Sequence, residues 1–180
     1  GNIASRLMTS TQNLTGYFNM LIDLGILERR VPVTEAMPEK SKMGLYFIKD
    51  NFFRFWFRYV FANQNYLEME NTDYVFRKVK DEFDEFVSLT FEDIAADILF
   101  DRKAIRSLPF EPEKWGRWWD RKNEIDLMAI NSSEKKALFI ECKWSKRLVD
   151  IDVLTDLKNK ASQVEWFKDD RKDYFAIMSR

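Results

Sequence analysis

Histidine is absent from this 180-residue sequence, and cysteine occurs once. The first absence removes Ser-His-Asp and Cys-His catalysis, histidine-ligated zinc and imidazole acid–base chemistry together. Any catalysis must then rest on carboxylates, lysine, tyrosine or a metal held by oxygen ligands. A single cysteine excludes an internal disulfide and suits a reducing cytoplasm. No apolar run approaches the roughly 20 residues that cross a bilayer, and no charged-then-apolar leader opens the chain. A cytoplasmic protein with no membrane span is therefore expected. An excess of charge of one sign is missing too: 29 Lys and Arg stand against 30 Asp and Glu, a net −1. A free-standing nucleic-acid binder is usually basic, so such a role here requires segregated charge or a bound metal. Aromatic residues, by contrast, are plentiful. At 16% of the chain, with 16 Phe and 6 Trp, they predict cores built around rings. The length allows one average domain or two small ones.

Residues 1–49 read as helix, turn, helix and β-hairpin. Residues 3–8 suit a short helix. Thr9, Ser10 and Thr11 offer N-cap side chains for a second one, in which Leu14, Phe18, Leu21 and Ile22 recur at helical spacing before Gly25 stops it. Ile26–Val33 is extended, Thr34–Met43 is a polar loop, and Gly44–Ile48 is a second strand. This order predicts a winged helix, which lacks its first helix here. A helical hairpin and a β-hairpin serving only as a packing module is the other arrangement these residues allow. If the element binds DNA, Thr11, Gln12, Asn13 and Thr15 form the exposed start of the recognition helix. Arg29, Arg30, Lys40 and Lys42 then form a phosphate-contacting cluster on the wing. A winged helix can also serve protein contacts.

Residues 50–80 are expected to be an aromatic helical linker. Arg54 and Arg58 are four apart, so a helix places both on one face among rings. Such interleaving can stack on bases, but it also suits a hydrophobic bridge between domains, and the bridge is the preferred reading.

From Phe83 the pattern becomes regular. Phe83, Phe86, Val87, Phe91, Ile94 and Ile98 predict a long amphipathic helix. Ile125, Leu127 and Ala129 alternate with polar residues, and a polar turn leads into a second strand over residues 137–144. Val153 through Phe167 predict another helix, and residues 174–178 a closing strand. The order is helix, about three strands, helix, strand: a mixed-sheet α/β unit over residues 81–180 within an α+β chain.

Chemistry concentrates on the hairpin. Glu141 and Lys143 are two apart and share a strand face, and a short hairpin brings Asp126 alongside. Two carboxylates and an ammonium on a buried face are costly unless they pair or hold a metal. Two carboxylates suffice to seat a hard divalent cation, Mg²⁺ or Mn²⁺, which can activate water and stabilise charge on a phosphoryl oxygen. Glu92 shares a helix face with Leu89, Ala96 and Leu99, which points its carboxylate inward. Two plainer arrangements stay open: edge-strand charges that block aggregation, and a simple Glu141–Lys143 pair.

Asn-Glu-Ile-Asp-Leu (123–127) and, fifteen residues past its aspartate, Ile-Glu-Cys-Lys-Trp (140–144) resemble the PD-(D/E)XK nuclease motif in its αβββαβ order. The chain as a whole is similar to the C-terminal region of the archaeal ATPase family. In that family an ATPase module precedes a winged helix and a restriction-endonuclease-like domain. The likeness is carried by residues 24–35, 44–48, 53–60 and 116–119 and covers nearly the whole chain. It implies metal ligands at Glu92, Asp126 and Glu141, a catalytic lysine at Lys143, and a Mg²⁺- or Mn²⁺-dependent DNA nuclease. The alternative is an inactive nuclease-fold module that binds DNA or a partner protein and regulates the ATPase. No G-x-x-x-x-G-K-[ST] loop occurs. The ATPase module is therefore absent from this sequence, and a fragment of a longer protein is expected.

Overall fold

A computed structural model describes residues 2–145 and 149–180, apart from the side chains of Asn2 and Thr11. The chain forms two compact units, one made of residues 1–30 and 45–80, the other of residues 31–44 and 81–180. It is an α+β protein with a two-stranded and a four-stranded sheet.

In the first unit a short helix, α1 (Asn2–Arg6), precedes α2 (Thr11–Asp23). Ser10 caps α2 by accepting from the Asn13 N–H. Gly25, at φ +70°, ends it. The Gly25 and Ile26 amides donate back to the Ile22 and Leu21 carbonyls, a Schellman closure that glycine allows at no steric cost. Strands β1 (Leu27–Arg30) and β2 (Leu45–Ile48) pair antiparallel, Leu27 facing Ile48. Tyr46 lays its ring 4.5 Å from that of Phe18 on α2.

The aromatic stretch is helical throughout. Asp50 accepts from the Phe52 and Phe53 amides and starts α3 (Asn51–Phe55), which widens to a π-turn over Trp56–Val60. A 3₁₀ turn (Phe61–Asn63) and α4 (Gln64–Glu68) follow. In the widened turn the Phe61 amide reaches back to the Trp56 carbonyl, and the buried Asn63 side chain donates to the Tyr59 carbonyl. Side-chain insertion of this kind keeps a π-turn's backbone satisfied.

Helix α5 runs from Thr72 to Leu99, eleven residues earlier than the apolar pattern from Phe83 suggests. Charged residues at 77, 78 and 80–82 break up the apolar pattern at the start of α5, and Asp73 in the first turn suits the helix dipole. Its buried line also differs from the expected one. Ile94 and Ile98 are exposed, while Phe86 and Ala95 are buried and Glu92 is nearly so.

In the second unit β3 (Lys114–Trp119), β4 (Glu124–Asn131), β5 (Lys136–Lys143) and β6 (Lys172–Ser179) form one sheet in that order. The first three are antiparallel, and β6 runs parallel to β5. That parallel pair needs a crossover, supplied by α6 (Ile151–Ala161). Core packs on both faces. Leu127, Ala129, Leu138 and Ile140 meet the α5 side through Ala95 and Phe100. Met128, Ile130 and Phe139 meet Leu157, Ala161 and Val164 on the α6 side. Helix α6 stops at Ala161, short of the expected Phe167. The buried Arg171 guanidinium takes the carbonyls of Ala161, Val164 and Trp166, which turns the chain where a helix would have continued.

The β4–β5 turn is held from outside. Glu113 accepts from the Ser132 and Ser133 amides and the Ser133 hydroxyl. These bonds, the hydroxyl's first, hold its carboxyl down to about 2.

Candidate active site

The site grows from an irregularity. Gly116 faces Met128, but Trp118 faces Ile125, so one residue of β3, Arg117, opposes two of β4, Asp126 and Leu127. This is a β-bulge, and it reverses the alternation of β4. Ile125 packs with the α6-side core, while Leu127 packs with the α5-side core. Asp126 sits at the reversal. The β4–β5 ladder ends at Leu127 and Ile140. One step beyond, Asp126 Oδ2 accepts the Cys142 N–H at 2.8 Å. The bulge thus turns a carboxylate into the place of a backbone acceptor and brings it beside Glu141.

Glu141 is buried, at 5% exposure, on the α6 face of β5. Lys143 donates to its Oε1 at 2.7 Å, and Lys160 of α6 donates to Oε2 at 3.1 Å. Lys160 sits three residues past Leu157 and one before Ala161, on the buried stripe of its helix. Burial works to lower the Lys143 ammonium, but the hydrogen bond and charge of Glu141 outweigh it and hold it above its ordinary value. Lys143 is therefore a charged donor, not a base. Trp144, the next residue, ties the strand end to α5: its Nε1 donates to Asp84, and its ring lies 5.5 Å from that of Phe91.

Glu92 approaches from the opposite face. Its Oε2 lies 3.0 Å from Arg117 Nη2, an ion-pair distance whose angles miss a hydrogen bond. Arg117, itself buried, also pairs with Glu124. Burial lifts the Glu92 carboxyl to about 8; Arg117 opposes the rise, and Asp126 adds to it. Asp126 is lifted as well, by burial first and by the charge of Glu141, against the Cys142 N–H and the charges of Arg117 and Lys160. The Cys142 thiol between these carboxylates is pushed up to about 12, chiefly by burial, so it is not a nucleophile.

The structure thus brings Asp126, Glu141 and Lys143 together on the hairpin and Glu92 within electrostatic reach of Asp126. Glu92 and Glu141 lie on opposite sheet faces. Among the described residues no three acidic or cysteine side chains converge closely enough to hold a metal ion. The donor chemistry nevertheless suits a hard divalent cation, because burial and the charge of Glu141 lift the Asp126 carboxyl and a cation beside both would relieve that repulsion. Sequence reasoning misses Arg117 and Lys160. Each carries a signal all the same: a cation within Trp-Gly-Arg-Trp-Trp, and a lysine on an apolar helical stripe, both requiring a buried partner.

The residues expected to touch DNA divide between the units. In the first, Gln12, Asn13 and Thr15 are exposed on α2. The Thr11 side chain lies outside the described residues. Arg29 and Arg30 are half-buried on β1, where Arg30 pairs with Glu28 and lies 5.1 Å from the Phe47 ring. Lys40 and Lys42 are exposed on the 31–44 loop, which belongs to the second unit. No helix among the described residues is long and apolar enough to cross a membrane.

A bulged mixed sheet between two helices, with charge buried at one hairpin end, defines an α/β unit with a candidate charged site. A family described as archaeal and bacterial proteins of unknown function, DUF234, matches residues 56–165, and the chain belongs to it. Over 183 aligned residues, all of this chain, it is 40% identical to the uncharacterized protein MJECL04 of Methanocaldococcus jannaschii. The chain spans 40% of that relative's length. No solved structure matches.

Proposed function

We propose that the second unit is a divalent-cation-dependent DNA nuclease of the PD-(D/E)XK type. The observation that carries this is the bulge at Asp126, which sets that half-buried carboxylate beside the buried Glu141 and Lys143 at one hairpin end. Asp126 and Glu141 would hold Mg²⁺ or Mn²⁺, with Glu92, on the other sheet face, acting on the site through its charge beside Asp126. When bound, the cation supplies Lewis acidity toward a phosphoryl oxygen. The chain's own residues do the rest. The Cys142 N–H fixes the Asp126 carboxylate, and Lys160 and Lys143 fix Glu141. The partly exposed Lys143 ammonium orients water or offsets charge growing on the phosphate. The first unit would act as a DNA-binding winged helix through α2 and the β1 arginines. In a longer protein, an ATPase module would couple to both.

Two observations favour a second reading, a non-cutting module that binds DNA or a partner protein and regulates the ATPase. Glu92 and Glu141 already have cationic partners, and no three acidic groups converge among the described residues.

Cleavage separates the two. Plasmid, single-stranded and branched DNA are incubated with the chain in Mg²⁺, Mn²⁺ or EDTA. Metal-dependent cutting is expected, with Asp126→Asn and Lys143→Ala each lowering the rate by about 100-fold or more. If the wild type cuts nothing, or the variants cut equally well, the non-catalytic reading stands instead.

A further inference from the structure

Beyond the end of α5 the second unit has a cavity of about 670 Å³ that the hairpin site does not use. Phe100 and Trp115 form one wall, their rings stacked 4.8 Å apart and 18° from parallel. Phe110 also lines the cavity, and Arg102, Arg106 and Glu111 supply its charged lining. Arg102 and Arg106 are exposed. Among the described residues neither guanidinium has a carboxylate partner: the ion pairs of this unit belong to other side chains. Glu111 is the one acidic group on the lining.

Elsewhere in this unit, cations that line the core are neutralised. Arg117 meets Glu92 and Glu124, Lys160 meets Glu141, and Arg171 meets Asp173. Arg102 and Arg106, exposed on the lining of an aromatic-walled cavity, are instead placed to take an external anion. A planar guanidinium matches phosphate oxygens in a bidentate fork, which two such groups can do from neighbouring positions. An aromatic wall beside them suits a flat ring attached to that phosphate, since every nucleobase has a π-face to stack. The volume lies within the range of small-molecule sites, about 300–1,000 Å³.

We propose that this cavity binds one nucleotide, phosphate on Arg102 and Arg106 and base against the Phe100–Trp115 wall. The nucleotide is either free or part of a single strand. Its position makes the second source attractive. Trp115 and Arg117 lie on the same strand, two residues and about 7 Å apart, so a nucleic-acid strand seated here would run toward the hairpin site. The binding itself does not depend on cleavage at that site.

The test measures binding by the whole chain in EDTA, so that no cutting intervenes. The probes are a deoxynucleoside 5′-monophosphate and a short 5′-phosphorylated oligothymidylate. Wild type is compared with the Arg102→Gln/Arg106→Gln double variant and with Lys168→Gln. The double variant should bind the oligonucleotide roughly tenfold more weakly, with a salt slope lower by about 1.4, near 0.7 for each single-strand phosphate that no longer meets an arginine. Lys168→Gln, which removes an exposed cation outside the cavity lining, should bind like wild type, which separates this site from a general effect of charge. Tighter binding of the oligonucleotide than of the monophosphate supports a strand, and equal binding supports a free nucleotide. If wild type binds neither probe, or the double variant keeps both affinity and salt slope, the proposal is overturned.

Discussion

Phe110, Trp118, Trp119 and Phe139 lie buried in the second unit, whereas Phe52, Phe57, Phe61 and Phe76 stand exposed in the first. Tyr59 is the one aromatic of the first unit that is buried among the described residues. Both units draw on the same ring-rich composition. The second sinks its rings between a sheet and two helices. The first is ordered by caps, a Schellman closure and a widened helical turn, and it leaves apolar surface outside. The difference explains where charge can be buried. Holding Glu92, Arg117 and Glu141 out of water requires neighbours that do not yield, and only the layered unit has a two-sided core to supply them.

Truncation at the centre of the second unit should test that contrast most severely. Phe139 is fully buried and stacks on Phe175 with ring centres 5.6 Å apart. Phe139→Ala should cost about 3–5 kcal/mol in urea unfolding. A loss below about 1 kcal/mol would mean that the core is no tighter than the exposed helices.

A smaller effect should come from the buried charge. Glu92 titrates near 8 when folded against 4.5 ordinarily. The folded state therefore binds the extra proton between those values, and stability falls as pH rises through that window. Glu92→Gln should remove the slope and leave the variant more stable than wild type on the alkaline side, by on the order of 2 kcal/mol. Parallel pH profiles of the two proteins would show that Arg117 already neutralises Glu92.

The smallest change should come from the first unit, where Phe76→Ala removes an exposed ring and should shift stability by no more than about 0.5 kcal/mol. A larger loss would show that this surface is covered in solution.

Much of the second unit was legible in the sequence. Alternation at 125–129, the polar turn and the apolar run at 137–140 locate the hairpin that the structure shows, and Glu92 is mostly buried as its neighbours at 96 and 99 suggested, although Leu89 on the expected face is exposed. The bulge could not be read. Alternation looks unbroken through Ile125, Asp126 and Leu127, because the reversal lies in the pairing with Arg117 and not in residue type. The partners of the carboxylates escaped for a similar reason. Arg117, Lys160 and the Cys142 amide are remote in sequence, and only tertiary packing joins them to Glu92, Glu141 and Asp126. Helix ends moved where the deciding group was distant, as Arg171 does for α6. In the first unit, capping residues at Ser10 and Gly25 marked boundaries well because those contacts are local.

Calorimetric titration with Mn²⁺, comparing the wild-type chain with Asp126→Asn and Glu141→Gln, tests the hairpin site most directly. Saturable binding by the wild type is expected, and either substitution should lower it by at least about tenfold, as removal of a ligand does. Absence of binding by the wild type, or equal binding by all three proteins, would contradict a cation site at the hairpin.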